Sequence, residues 1–195
     1  MTTLLSLSSL IDRLNTWIGK MAMWLVLATT LVSAGNAIVR KAFDMSSNAL
    51  LEIQWYLFAG VFMLAAGYAF LANAHVRIDF VASRLSARTR NWIDAIGIVL
   101  VLVPFCVIAI RLSWPLFANA WATGEMSSNA GGLIRWPVYL LIPTGFALLL
   151  LQGVSELVKR VAFLRGAGPD TLAHQVSDEE KLAEELAAQT HTKSA

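Results

Sequence analysis

The chain has 195 residues, of which 57% are hydrophobic and 14% charged. A soluble domain carries roughly 45–50% apolar and about 25% charged residues, so a soluble globular protein is excluded. The net charge of +2 makes no case for nucleic acid. The distribution is more telling than the totals. Stretches 21–39, 53–74, 95–110 and 136–155 contain no Asp, Glu, Lys or Arg. A bilayer core about 30 Å thick needs about 20 apolar helical residues. Three stretches meet that alone, and 95–110 does so with Asp94 and Arg111 at its ends. The pattern predicts an all-α protein with four transmembrane helices. A membrane domain, 1–165, has spans at about 18–41, 50–74, 92–113 and 136–160, and a polar tail, 166–195, follows.

Residues 1–20 mix apolar and polar side chains and read as an interfacial helix running into span one. Arg13 and Lys20 precede an apolar run, and Gly35-Asn36-Ala37 resembles a cleavage site, so a signal peptide is the rival reading. The run is long and the triplet comes late, which favours a retained span. It ends at Arg40-Lys41, and a short connection with a Ser46-Ser47-Asn48 turn signal leads to span two.

After span two, Val81, Leu85 and Trp92 form a rough apolar stripe opposite Arg84, Arg88 and Arg90. This predicts a short amphipathic helix on the cytoplasmic surface, with these three arginines near lipid headgroups. Pro104 predicts a kink in span three. Residues 114–135 are apolar but interrupted by Pro115, Gly124, the turn formers Ser127-Ser128-Asn129 and Gly131-Gly132, which predicts a helical turn or two in the interface and then a loop. Span four carries Pro137 in its first turn and Pro143 further in. Residues 164–195 hold three Lys/Arg against six Asp/Glu, and Ser177 with Glu180 fits the capping box of a short helix in an otherwise disordered segment.

Orientation follows from the positive charges. The side shared by both termini holds Arg13, Lys20, Arg77, Arg84, Arg88, Arg90, Lys159, Arg160 and Arg165, and the other holds Arg40, Lys41, Arg111 and Arg135. The excess places the N- and C-termini in the cytoplasm. Trp55, Trp92, Trp114 and Trp136 fall at span ends as interfacial anchors, as do Trp17 and Trp121; Trp24 is the exception.

Candidate chemistry is sparse. His75 lies at a span end and His174 and His191 in the tail, so the spans offer no bis-histidine haem site. Catalytic and nucleotide-binding motifs are missing, and no cofactor or enzymatic activity is expected. Cys106 reads as an apolar filler. Thr29, Thr30, Ser33, Asn36, Gln54, Thr144 and Gln152 read as interhelical hydrogen-bonding groups rather than a solute path. Glu52, one turn into span two, needs a partner, and an Arg40–Glu52 pair pinning spans one and two is the expectation beside a neutral or solvated Glu52. Small residues cluster at Gly60, Gly67, Gly145, Gly153, and at Ala28 with Gly35; they fit packing within the bundle or docking to another membrane protein.

The run from Glu52 to Gly60, the Gly67-Tyr68-Ala69 step and His75-Val76-Arg77-Ile78-Asp79 resemble the small membrane subunit (a DctQ-like small permease) of tripartite ATP-independent periplasmic (TRAP) transporters. The stretch from Gly131 to Phe146, and Gln152 followed by Glu156, are similar to that family's last span. The resemblance covers about residues 10–165 and departs from the family at Asn73-Ala74, where a glycine–glutamate is usual. It implies a multi-pass protein of the bacterial inner membrane. Its partners would be a large multi-span subunit that moves solute and sodium, a periplasmic solute-binding protein, and membrane lipid. It also implies a non-catalytic bracing role and organic acids as cargo. Arg40, Glu52, His75, Arg77 and Asp79 are the structural or interaction candidates. On this reading spans one, two and four face the large subunit, and 42–50 and 114–135 face the binding protein. An independent homodimeric transporter and a membrane-anchored assembly scaffold are the alternatives.

Overall fold

The computed structural model describes residues 2–44, 47–73 and 85–172. Within them the chain forms four long helices: α1 (Thr2–Phe43), α2 (Asn48–Leu71), α3 (Ala87–Thr123) and α4 (Trp136–Leu164). Each is long and apolar enough to cross a membrane. Helix α1 packs along α2, α2 along α4 and α3 along α4, while α1 also reaches α4. Helix α4 is therefore the central element, and it carries the longest run of buried positions. The α1 N-terminus and the α4 C-terminus share one end of the bundle, here the terminal end. The α1–α2 turn and the 124–135 loop form the hairpin end.

The helices stop where the chain can adopt a left-handed residue. Asp44 (φ 50°) follows α1 and Asn73 (φ 47°) follows α2, both residue types that tolerate this region. Gly124 (φ 63°) and Gly166 (φ 69°) do the same after α3 and α4, without the Cβ penalty. Helix α1 is a single helix of 42 residues, about 63 Å long at about 1.5 Å per residue. The N-terminal segment is thus continuous with the first span.

Helix α3 differs most from the expectation. It begins at Ala87, capped by the Ser86 hydroxyl, which accepts the Thr89 N–H at 3.2 Å. It runs through Pro115 to Thr123 rather than breaking into an interfacial turn. The proline forgoes one backbone hydrogen bond and its ring crowds the preceding turn, yet the alanine-rich residues beyond it continue the helix. Before Pro104, residues Ile98–Leu102 widen into a π-helical turn, where the Val103 N–H reaches back to the Ile98 carbonyl. The widened turn sets Leu102 against Gly153 of α4, where an added methyl would lie 2.5 Å from Leu102 Cδ2. Arg88 and Arg90 ride on the first turn of this long helix. The remainder of the expected surface helix, 74–84, lies outside the described residues, as does the tail from residue 173 with its Ser177–Glu180 capping box.

The small residues resolve mostly into internal packing. A methyl at Gly145 would come within 2.6 Å of the Met63 carbonyl oxygen. Gly67 lies directly beneath the Asn15 side chain and near the Leu148 carbonyl, so α1, α2 and α4 converge there. Gly19 accommodates the Tyr68 ring. Gly35 has nothing within 4 Å and points away from the bundle.

Candidate functional site

Polar side chains gather at both ends of an otherwise apolar bundle. At the hairpin end, Glu52 sits in the first turns of α2 and is 1% exposed. Its Oε2 accepts the Leu133 backbone N–H at 2.6 Å. Its Oε1 accepts from Asn129 Nδ2 at 2.8 Å and from the Ser127 hydroxyl. Three donors from one loop satisfy the carboxylate, as burial of an acceptor demands. The loop is ordered in itself: Ser127 N–H donates to the Leu133 carbonyl at 2.8 Å and Arg135 N–H to the Glu125 carbonyl at 2.9 Å. The Asn48 amide donates to the Ala130 carbonyl at 3.0 Å and the Tyr56 hydroxyl to the Ile134 carbonyl at 3.1 Å. The Arg135 guanidinium lies 3.2 Å from the Tyr139 hydroxyl and 3.4 Å from Glu125 Oε1. The Tyr139 contact is the first cause holding its pKa above the usual arginine value, so it keeps its charge. The expected Arg40–Glu52 pair is not formed. Arg40 is exposed on α1, and the loop donors occupy both carboxylate oxygens.

At the terminal end, Gln152 is fully buried. Its carbonyl accepts from Asn15 Nδ2 at 2.9 Å, and its amide donates to Asp12 Oδ1 at 2.9 Å and Glu156 Oε1 at 3.3 Å. Ser155 donates to Asp12 Oδ1 at 2.8 Å and meets the Ser8 hydroxyl at 2.6 Å. Lys159 Nζ lies 2.7 Å from both Asp12 Oδ2 and Glu156 Oε1. Arg160, 2% exposed, pairs with Glu156 at 3.0 Å and Asp94 at 3.5 Å and donates to the Thr171 hydroxyl. Asn91 donates to Asp170 at 3.0 Å. These contacts tie α1, α3, α4 and the segment after α4 together. In the ion pairs, three carboxylates, Asp12, Asp94 and Glu156, face two cations, Lys159 and Arg160. By contrast Thr29, Thr30 and Thr144 bond back to carbonyls of their own helices. Of the polar residues read as interhelical, Gln152 is the one seen to bridge helices here.

The remaining sequence candidates divide simply. His75, Arg77, Asp79 and Arg84 lie outside the described residues. Arg88 is exposed and Arg90 half-buried. Trp55, Trp92 and Trp114 are exposed. Trp114, Phe117, Trp121 and Trp136 form a chain of ring contacts at 5.5, 6.2 and 4.6 Å that links α3 to the start of α4. Sequence reading had not connected Asp12, Ser155, Lys159 and Arg160. The available signal was the spacing of Gln152, Ser155, Glu156 and Lys159, one polar face on an apolar helix. Ser127 and Asn129 passed as turn formers.

Four long apolar helices held by polar clasps at both ends define a small multi-pass membrane protein. The family described as "Tripartite ATP-independent periplasmic transporters, DctQ component" matches residues 29–163, and the chain belongs to it. It is a membrane component of a tripartite transporter, a multi-pass inner-membrane protein whose assembly includes a large membrane subunit and a solute-binding protein. The chain is similar to the "C4-dicarboxylate TRAP transporter small permease protein DctQ" of Pseudomonas aeruginosa, with 28% identity over 159 residues, 80% of this chain and 72% of that protein. No solved structure matches the chain.

Proposed function

We propose that this chain is the non-catalytic bracing subunit of a sodium-coupled TRAP transporter for organic acids. The terminal end faces the cytoplasm, as the excess of Lys and Arg there indicates. Faces of α1, α2 and α4 meet the large subunit, α4 with the smallest outward share, and Arg40, His75, Arg77 and Asp79 contribute to contacts around the bundle. Arg84, Arg88 and Arg90 lie near lipid headgroups. The hairpin end, residues 42–50 and 114–135, meets the solute-binding protein. A dicarboxylate is the first cargo to try, because a relative is named for C4-dicarboxylates.

The observation that carries this reading is the Glu52 clasp. It uses a buried carboxylate to hold a surface loop in one shape, which suits a docking platform better than a solute path. The test is uptake in proteoliposomes containing the large subunit, with a sodium gradient and added binding protein. Uptake should require this chain and the gradient. Bulky charged substitutions at the exposed loop positions, Met126→Arg and Ser128→Arg, should lower uptake at limiting binding protein and recover as it is raised. Uptake that proceeds equally without the chain would contradict the reading.

A further inference from the structure

Helix α1 carries two faces with a seven-residue repeat. The inner row is small or polar: Ser8, Asn15, Ala22, Thr29 and Asn36, all but Thr29 buried. The outer row is large and apolar: Leu7, Leu10, Leu14, Trp17, Met21 and Trp24, each 41% to 66% exposed. Its steps alternate three and four and continue through Ala28, Leu31 and Gly35 to Ile38. That is the 3.5-residue period of a coiled-coil seam. A surface that meets only lipid needs no such period, because lipid tails are as apolar as leucine. The seam is also longer than the hydrocarbon core. Leu7 to Ile38 rises about 47 Å at about 1.5 Å per residue, against a hydrocarbon core of about 30 Å. Arg13 and Lys20, both exposed, stand one residue before Leu14 and Met21, seven apart on the same flank. That flank is where coiled coils select partners by charge.

We propose that this seam docks lengthwise onto one long helix of the large transport subunit. That helix carries its own three–four apolar repeat and two acidic residues one heptad apart, facing Arg13 and Lys20. The inference rests on the assembly role proposed above. A second copy of this chain fits poorly. Two copies share one membrane orientation and pair in parallel, which sets Arg13 and Lys20 against the apolar Ile18 and Leu25. Ala28 and Gly35 fall on the seam, so the partner helix approaches more closely toward the hairpin end. This gives Gly35 a use that its empty surroundings within the chain do not.

The test is site-directed crosslinking in the assembled complex in native membranes, starting from Cys106→Ala. A thiol-anchored photocrosslinker is placed at Leu14→Cys, Trp17→Cys, Met21→Cys or Trp24→Cys on the seam. Met23→Cys and Thr30→Cys report the exposed face beside it. Crosslinks to the large subunit should be several-fold stronger at the seam. Arg13→Glu with Lys20→Glu should lose most of the co-purified large subunit, while Arg165→Glu should not. Equal crosslinking at Met23 and Trp24, or crosslinks chiefly to a second copy, would overturn the seam. If the large subunit co-purifies but crosslinks only through α2 or α3, the seam falls and the assembly role stands. If the complex holds no large subunit, both fall.

Discussion

Glu52 and Leu133 stand 81 positions apart in the sequence, yet the Leu133 N–H donates to the Glu52 carboxylate at 2.6 Å. With Ser127 and Asn129 beside it, this contact turns a glycine-rich connection into a shaped surface. Replacing Glu52 by alanine should free the loop without unfolding the bundle. Hydrogen exchange of residues 125–135 should rise markedly, and limited proteolysis from the hairpin side should begin there. Glu52→Gln should be intermediate, because an amide offers one acceptor oxygen to three donors. Arg40→Ala should leave the loop protected.

The buried Gln152 joins Asn15, Asp12 and Glu156. Gln152→Leu should destabilise the chain by about 1–3 kcal/mol, because the partner amides and carboxylates remain buried without it. A double-mutant cycle with Asn15→Leu should return a coupling on the order of 0.6–1.7 kcal/mol, the range for polar pairs between membrane helices. Thermal unfolding in mild detergent reads both. Additive effects would mean that the two side chains do not act together.

How much of this was legible in the sequence depends on range. The four spans follow from charge-free stretches, a one-dimensional property that burial in lipid imposes directly. The partner of Glu52 was not legible. Its nearest cations in sequence, Arg40 and Lys41, suggested a local ion pair, but neutral donors from a loop far along the chain reached it first. The continuity of α3 through Pro115 to Thr123 was not legible, because Pro115 and the glycines beyond it all carry the signature of a break. The proline costs one donor, while Gly124 alone supplies the left-handed stop. Arg160 and Lys159 stand in the sequence only as charges that set orientation, although carboxylates from α1, α3 and α4 hold them in the fold.

The glycines on α4 are a test of packing. Gly145→Val should push α4 from the Met63 backbone and lower stability by about 1–3 kcal/mol, the usual cost of overpacking. Gly97→Ala is the matched control, since nothing lies within 4 Å of its added methyl. It should hold or raise stability by up to about 1 kcal/mol through helix propensity.

Arg160 joins Glu156, Asp94 and Thr171. Arg160→Met should cost about 1–3 kcal/mol, because Glu156 loses one of its two cations while keeping Lys159, and the Thr171 hydroxyl loses its donor. The same contacts locate a boundary for truncation. Removing 168–195 takes away Asp170, Thr171 and the buried Leu172, and should destabilise the terminal end. Removing 173–195 should leave thermal stability and uptake close to those of the full chain. A loss of uptake in that shorter truncation, with stability intact, would assign a working role to the tail.

The most direct test of the account is purification of the tagged chain from its native membrane in mild detergent, with quantitative mass spectrometry of what accompanies it. The account predicts a roughly stoichiometric large multi-span membrane subunit, retained after washing. Recovery of the chain alone, or with copies of itself only, would contradict a bracing role and favour an independent homodimeric protein.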